Sequence, residues 1–182
     1  MITSMSAAYW PAALTTTRLE LGPVQPADVP TFVRLWTDRD VRRYLGGPVS
    51  DDVVRVRREQ CVGAVGLFSV VRREDGAVLG SVWVEPESRG GRTEVSYQLA
   101  PEYWGCGYAR EAVAAVVAWA LAEVPAAVPG IVAVTQAAND TSRRLLEALG
   151  ATQVDSFVEW DAPQVLYLFA GSGAPPRGGQ LT

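Results

Sequence analysis

The chain has 182 residues, a formal net charge of −4 and a hydrophobic fraction of 48%, values that fit one compact domain and argue against a disordered chain or a nucleic-acid-binding protein. It contains no histidine, and all 16 of its basic residues are arginine. These two absences exclude Ser-His-Asp hydrolysis, histidine-ligated zinc, Schiff-base catalysis and a P-loop lysine. No metal is expected, and any chemistry must use carboxylate, hydroxyl, thiol or backbone groups.

Membrane insertion and secretion are not indicated by the sequence. The longest apolar run, residues 112–122, is shorter than the roughly 20 residues that a bilayer requires. The first 14 residues carry no early positive charge and contain Pro11, which is not typical of a secretion signal. We therefore expect a cytoplasmic protein with no membrane contact, in which Cys61 and Cys106 are free thiols.

The first part of the chain predicts one strand followed by helices. Alternation over residues 18–25 indicates the strand, and the apolar spacing within residues 32–36 predicts an amphipathic helix that ends near Asp38. Residues 39–45 predict a short helical piece that a Gly-Gly-Pro sequence ends. A further helix then begins with Ser50 as its N-cap.

Residues 66–101 predict an antiparallel meander of three strands, because the runs GLFSVVRRE, VLGSVWVEP and TEVSYQLAP are separated by turn signals. The third run alternates with period two and so has an apolar and a polar face. The apolar face holds Val95, Tyr97 and Leu99, and the polar face holds Glu94, Ser96 and Gln98. The polar face is expected to line a cleft.

The second half of the chain predicts a glycine turn, two helices and three strands. The turn lies in YWGCGYAREA, residues 103–112, directly before an apolar helix, and GIVAVTQ, residues 130–136, is the next strand. The strand-helix-strand order places that strand parallel to the third meander strand. Asn139 is expected to cap a helix that ends at Gly150, and TQVDSFVEW and QVLYLFA to form a closing hairpin.

These elements predict a single α+β domain over residues 1–170, with a mixed sheet that has a parallel pair near its middle. Residues 1–14 are expected to be loosely ordered. Residues 171–182 are rich in glycine and proline and are expected to form a flexible tail.

The glycine turn is a candidate anion site. Glycine lets a ligand approach the main chain, and a helix start presents unpaired N–H groups and partial positive charge. The turn also follows the carboxyl end of a strand, where phosphate-binding loops are common. Because a Gly-x-Gly pattern also occurs in ordinary tight turns, its context has to distinguish the two interpretations.

The context is a resemblance to a known family. QLAPEYWGCGYAREA, residues 98–112, resembles the acetyl-coenzyme A signature of the GNAT superfamily of N-acetyltransferases, although Trp104 stands where glutamine or arginine is usual. Tryptophan at this position is familiar in the branch that acetylates ribosomal-protein N-termini. NDTSRRLLEALGA, residues 139–151, is similar to the Asn-x-x-Ser helix of the same family. The resemblance implies the GNAT fold: a mostly antiparallel mixed sheet with a splayed parallel strand pair, flanked by helices.

The resemblance also implies acetyl-coenzyme A as co-substrate and a set of residues that bind it. The main chain at Leu99 and Ala100 would pair with the pantetheine arm between the splayed strands. Asn139 would hydrogen-bond the same arm, and Ser142 would stand near the thioester sulfur. The pyrophosphate would lie in a backbone cradle formed by Gly105, Cys106, Gly107, Tyr108 and Ala109, and Trp104 belongs to the same coenzyme-binding motif.

The implied reaction is direct attack of a neutral amine on the thioester in a ternary complex. Glu94 is the expected general base, directly or through a water; the alternative is a surface carboxylate paired with Arg92. Leu146 stands where many members place a tyrosine proton donor, and Ser142 is the substitute in the ribosomal branch. The other interpretation is that Ser142 only caps the helix.

The acceptor amine is less well defined by the sequence. In relatives the acceptor site is shaped by the first two helices and the closing hairpin, and most aromatic residues there equally fit a core position. A protein or peptide N-terminus, a small amine and an aminoglycoside all fit, on a monomer or homodimer. Two other functions stay open: a non-catalytic coenzyme A sensor or interaction protein, and a site for another phosphate ligand such as a nucleotide. The aromatic residues concerned are Trp36, Tyr44, Trp83, Phe157 and Trp160.

Overall fold

The computed structural model of the chain describes residues 8–171, with four α-helices and eight strands in one sheet. The strands are β1 (Leu14–Thr15), β2 (Leu19–Pro23), β3 (Leu67–Arg72), β4 (Val78–Arg89), β5 (Arg92–Leu99), β6 (Ile131–Gln136), β7 (Thr152–Glu159) and β8 (Ala162–Phe169). The helices are α1 (Val29–Thr37), α2 (Asp51–Gln60), α3 (Tyr108–Glu123) and α4 (Asp140–Ala148). Over residues 8–171, none of the helices has the length and apolar character needed to cross a membrane.

The strands follow the order β1-β2-β3-β4-β5-β6-β8-β7 across the sheet. Every neighbouring pair is antiparallel except β5 and β6, which run parallel. The parallel pair arises because α3 forms the crossover between these two strands, whereas the antiparallel β3, β4 and β5 follow one another through short turns. The mostly antiparallel mixed sheet expected from the sequence is thereby confirmed.

The parallel strands β5 and β6 separate soon after they begin. Only two residue pairs join them in register: Thr93 with Ile131 and Glu94 with Val132. On its other edge β5 stays paired with β4 as far as Leu99. Residues 95–99 of β5 and 133–136 of β6 therefore border an opening, which we call the wedge, and the splayed pair expected from the resemblance is present.

Two hydrophobic clusters occupy opposite faces of the sheet. The adjacent residues Leu67 and Phe68 belong to different clusters, as they must when successive side chains of a strand alternate between faces. The larger cluster includes the buried side of α3 and Leu146 of α4, and the smaller one includes Phe32 and Trp36 of α1. The wedge is therefore flanked by α3 and α4 on one face, while α1 covers the other face of the sheet.

The helical piece expected at residues 39–45 is a series of turns. Asp38 begins one helical turn, in which the N–H of Arg42 donates to the Asp38 carbonyl at 3.0 Å. The turn cannot continue as a helix because Gly46 and Gly47 have left-handed φ values of +81° and +80°. Ser50 is the N-cap of α2 as expected, although its side chain accepts no capping hydrogen bond.

Part of the N-terminal stretch expected to be loosely ordered packs against the core. Trp10 is 9% exposed, and its ring meets that of Phe68 edge-on at a centroid distance of 4.9 Å. The first strand, β1, follows within a few residues. The expectation of a flexible tail concerns residues that, from 172 onward, lie outside the described part of the chain.

We expect Gly80→Ala to lower the free energy of unfolding by about 1–3 kcal/mol, because the added methyl overpacks the sheet. A Cβ at Gly80 would contact the Gln98 carbonyl and lie 2.7 Å from the Cα of Leu99. The matched variant is Gly22→Ala in β2, where a Cβ meets nothing within 4 Å, and we expect it to change stability by less than about 0.5 kcal/mol. Urea unfolding checks both variants, and equal effects would contradict this packing argument.

Candidate active site

The turn between β5 and α3 places two glycines in left-handed backbone conformations. Gly105 has φ +73°, and Gly107, the N-cap of α3, has φ +81°. A Cβ on Gly105 would meet nothing within 4 Å, and one on Gly107 would meet only Nη2 of Arg18 at 3.4 Å. Glycine is therefore required here by backbone conformation, and the space in front of the turn is open.

The N–H groups of this turn have no hydrogen-bond partners among residues 8–171. Between Trp104, whose N–H donates to the Pro101 carbonyl, and Glu111, whose N–H donates to the Gly107 carbonyl, both at 3.1 Å, none of the N–H groups of residues 105–110 donates to another residue in the range 8–171. The positive end of the α3 dipole lies at the same place. This combination suits an anionic group that approaches the backbone.

Arg18, which was not among the predicted site residues, contacts the glycine turn through its side chain. Its Nη1 donates to the Cys106 carbonyl at 2.9 Å, its Nε pairs with Glu111 at 2.7 Å, and its guanidinium lies 4.4 Å from the centroid of the Tyr108 ring. Burial acts to raise the pKa of Glu111, but hydrogen bonds from Thr16 and Arg18 hold it below its usual value. Arg18 thus fixes both the turn and the first turn of α3.

The residues expected to meet the pantetheine arm already have some internal partners. The indole N–H of Trp104 donates to the Leu99 carbonyl at 2.8 Å, and the Ala100 N–H donates to the Leu79 carbonyl at 2.8 Å. A carbonyl oxygen has two lone pairs, so Leu99 can accept a second hydrogen bond. Trp104 therefore stabilises the end of β5 through this hydrogen bond. Its position in the sequence motif did not indicate the contact.

Three polar side chains meet where α4 begins beside the wedge. Asn139 is the N-cap, and its Oδ1 accepts a hydrogen bond from the Ser142 N–H at 3.2 Å. The Ser142 Oγ lies 2.8 Å from the hydroxyl of Tyr97 on β5. Leu146 is fully buried. The sequence analysis placed Tyr97 on the apolar face without a polar role, although a buried tyrosine hydroxyl usually has a hydrogen-bond partner.

Burial dominates the ionisation of Tyr97. It raises the pKa of the phenol to about 12, although the hydrogen bond with Ser142 acts in the opposite direction. Tyr97 therefore keeps its proton at neutral pH. A neutral phenol next to Ser142 can donate a hydrogen bond to it.

Glu94 lies where the register of β5 and β6 ends. Its Oε2 accepts hydrogen bonds from Ser88 Oγ and Arg89 Nε, both at 3.1 Å, and its Oε1 has no hydrogen-bond partner within the described residues. The pairing with Arg92 considered from the sequence does not occur: a register shift in β4 places Arg89 opposite Arg92, and the Arg89 side chain reaches Glu94 from there. Arg89 also reaches Glu159 of β7 at 3.5 Å.

Glu85 is the cross-strand neighbour of Glu94. It is half-buried and forms no ion pair or side-chain hydrogen bond among residues 8–171. Burial, and to a lesser degree the charge of Glu94, raise the pKa of Glu85. Two carboxylates therefore share the polar face of the sheet, and only Glu94 has a cationic partner.

The aromatic residues expected near the acceptor site differ in how exposed their side chains are. Trp36 is 5% exposed and belongs to the smaller core cluster, whereas Trp83 and Trp160 are 43% and 84% exposed. Tyr44 and Phe157 are partly buried, and the Phe157 ring lies 5.4 Å from the Arg89 guanidinium carbon. Trp83 shares the polar face with the two carboxylates because it lies two residues before Glu85 on β4.

The cysteines and the acidic residues give no sign of a metal centre. Cys61 is a buried free thiol and Cys106 an exposed one. Within residues 8–171 no group of three or more histidine, cysteine, aspartate or glutamate side chains is arranged to hold a metal ion.

The parallel strand pair that opens beneath a glycine turn at the start of α3 is the arrangement that the resemblance implied for an acyltransferase. The acetyltransferase (GNAT) domain family matches residues 18–152, and the chain belongs to that family, whose members are acetyl-coenzyme A-dependent N-acetyltransferases. The resemblance identified from the sequence is thereby confirmed at the level of the family, the fold and the class of enzyme.

Two relatives show how far the likeness extends. FsC-acetyl coenzyme A-N(2)-transacetylase of Aspergillus fumigatus is 30% identical over 166 residues, which cover 82% of this chain and 69% of that protein. Uncharacterized N-acetyltransferase p20 of Bacillus licheniformis is 29% identical over 108 residues, covering 55% of this chain and 61% of its own length. In the second case the match spans less than two thirds of the relative.

Solved structures share the fold at lower identity. A GNAT-family acetyltransferase from Bacillus anthracis has a TM-score of 0.78 at 20% identity and covers 89% of this chain and 100% of its own. Spermidine N-acetyltransferase from Vibrio cholerae, in complex with CoA and spermine, has a TM-score of 0.72 at 17% identity, with coverages of 86% and 98%. Ribosomal-protein-S5-alanine acetyltransferase from Vibrio fischeri has a TM-score of 0.66 at 16% identity, with coverages of 91% and 100%.

We expect the stability of the protein to fall at alkaline pH through Tyr97. Its native pKa of about 12 exceeds the value of about 10 for an exposed tyrosine, so the unfolded chain loses this proton first as the pH rises. The stabilisation is complete below about pH 10 and is lost between about pH 10 and 12. The free energy of unfolding should therefore drop by up to about 3 kcal/mol relative to Tyr97→Phe. Urea titrations of the wild type and of Tyr97→Phe across this pH range check the expectation. The same dependence of stability on pH in both proteins would contradict it.

Proposed function

We propose that this protein transfers the acetyl group of acetyl-coenzyme A to a primary amine by direct attack in a ternary complex. The observation that carries the proposal is the run of unpartnered N–H groups at residues 105–110, in front of open space and beside the wedge. An elongated thioester with a diphosphate fits this arrangement, because the anion meets the helix start and the arm can follow an unpaired strand edge. We place the activity in the cytoplasm, on a monomer or homodimer.

In this proposal the backbone of residues 105–109 cradles the pyrophosphate. The pantetheine arm runs into the wedge along Leu99 and Ala100, and Asn139 meets it from α4. Trp104 supports the cradle indirectly, since its indole holds the Leu99 carbonyl. The thioester then lies near Ser142, on the side of the wedge where α4 begins.

The reaction forms a C–N bond and breaks the C–S bond, with the electron pair passing to sulfur. Glu94 first takes a proton from the substrate ammonium, directly or through a water, at the Oε1 atom that Arg89 and Ser88 leave available, and the neutral amine then attacks the thioester carbonyl. Ser142 donates a hydrogen bond to the departing thiolate. Close placement of amine and thioester in one site supplies much of the rate.

Glu85 is a second candidate for the base, because it lies opposite Glu94 and lacks a cationic partner among the described residues. Glu85 lies on β4, one strand further from the wedge, whereas Glu94 lies on β5 at the residue where the pairing with β6 ends. We therefore assign the base to Glu94. Glu85 adds negative charge to the approach of an ammonium group.

The acceptor is proposed to be a protein or peptide N-terminus or a small amine. The polar face offers carboxylates at Glu85 and Glu94 and an exposed aromatic ring at Trp83, a surface that attracts a cationic amine and packs against its carbon chain. The structural neighbours named for spermidine and for an S5 alanine show that one fold serves both kinds of acceptor.

The test is acetyl transfer to a panel of peptides, polyamines and aminoglycosides, followed by release of the coenzyme A thiol. Turnover with at least one amine supports the proposal. Binding of acetyl-coenzyme A without thiol release on any acceptor would favour the non-catalytic sensor. Thermal stabilisation by ATP, but not by acetyl-coenzyme A, would assign the turn to another phosphate ligand.

We expect Gly107→Val to weaken acetyl-coenzyme A binding by at least about tenfold, equivalent to 1.4 kcal/mol, because the branched side chain blocks approach to the backbone. The matched variant is Gly63→Val, at φ +68° with nothing within 4 Å of its Cβ, which introduces similar backbone strain away from the turn. Calorimetric titration should give unchanged affinity for Gly63→Val. Unchanged affinity for Gly107→Val would place the phosphates elsewhere.

We expect Glu94→Gln to lower kcat/KM by about 10²–10⁴-fold near neutral pH. The loss should shrink in alkali, where more of the amine is already neutral. Glu85→Gln, measured alongside, should cost less than about tenfold because it alters only the local charge. The reverse ranking would assign the base to Glu85, and a constant proportional loss for both variants at every pH would remove both.

A further inference from the structure

The hydroxyls of Tyr97 and Ser142 form a bridge across one side of the wedge. Tyr97 lies on β5 beyond the last residue paired with β6, and Ser142 lies in the first turn of α4. Their oxygens are 2.8 Å apart. The pair therefore stands beside the path that the proposed function gives to the thioester.

The Ser142 hydroxyl has one hydrogen-bond partner in the described structure. Within residues 8–171 the Ser142 Oγ bonds only to Tyr97. The Ser142 N–H is held separately by Asn139 at 3.2 Å. The direction of the hydroxyl hydrogen is thus decided by which member of the pair donates.

We infer that Tyr97 is a positioning residue: its phenol donates to Ser142 Oγ and leaves the Ser142 hydrogen free to point at the departing sulfur. This inference rests on the proposed function. In the step concerned, the C–S bond breaks and its electron pair stays on sulfur, which accepts the hydrogen bond from Ser142. Tyr97 keeps its own proton throughout, and the thiolate is finally protonated from solvent.

The surroundings of the pair are consistent with this direction of donation. Tyr97 is protonated at neutral pH and can donate, because burial raises further a pKa that is already about 10 in an exposed tyrosine. Leu146, one turn further along α4, is fully buried and offers no hydroxyl. Tyr167, the other tyrosine that bonds to α4, donates to Glu147 at 2.7 Å and accepts from Arg143 at 3.3 Å, so its hydroxyl is already engaged away from Ser142.

The experiment is a double-mutant cycle on turnover, with hydroxylamine included among the acceptors as a small nucleophile. We expect Tyr97→Phe to lower kcat about tenfold or more, with the KM for acetyl-coenzyme A unchanged within about twofold. In the Ser142→Ala background, the same change should lower kcat by less than about twofold, because Tyr97 acts only through Ser142. Tyr167→Phe, which removes a comparable bond to α4, should leave kcat within about threefold of the wild type.

The inference would be overturned if Tyr97→Phe and Ser142→Ala lowered kcat by independent, multiplying factors. It would also be overturned if Tyr97→Phe left kcat unchanged. Ser142→Thr supplies a second background, since it retains the hydroxyl and should retain the dependence on Tyr97. Circular dichroism and coenzyme A affinity identify any variant that fails to fold. Absence of wild-type turnover with every acceptor overturns the proposed function and this inference together, whereas an active wild type with an unaffected Tyr97→Phe overturns this inference alone.

Discussion

The early end of the pairing between β5 and β6 is the constraint on which the rest of the structure depends. A strand edge that leaves its neighbour exposes backbone polar groups, which require partners from elsewhere. Here the end of β5 is supported by the indole of Trp104, and the start of α4 contributes Asn139 and Ser142 beside the opening. The sheet thus lacks part of the hydrogen-bond ladder between β5 and β6, which leaves the wedge open. The flanking helices supply polar groups at the edges of the wedge.

Much of the fold could be predicted because its signals are local. Period-two alternation defined β5, the glycine turn defined the start of α3, and Gly150, with φ +89°, ended α4. The apolar sequence of α3, in contrast, does not show which side of the helix is buried. Ala114 and Ala118 are exposed, because alanine is compatible with solvent and does not reveal which face is buried.

Residues of the candidate site could be predicted only where their role depends on backbone conformation. Gly105, Gly107 and Asn139 have roles set by turn and cap geometry, which short motifs record. The contacts of Arg18 and Tyr97 join residues 88 and 45 positions apart, and no local pattern encodes such pairs. The arginine that pairs with Glu94 was equally hidden: the alternative considered was Arg92, and the structure has Arg89, which follows an irregularity in the β4–β5 register.

The cross-link made by Arg18 carries a consequence for how the enzyme is assembled. Strand β2 begins directly after Arg18, and the guanidinium reaches the glycine turn and Glu111 from that position. The glycine turn therefore has these side-chain contacts only when the beginning of the domain has packed on its middle. Under the proposed function, coenzyme affinity consequently reports on long-range folding of the chain, and a fragment that begins after β2 lacks the contacts of Arg18 with the turn.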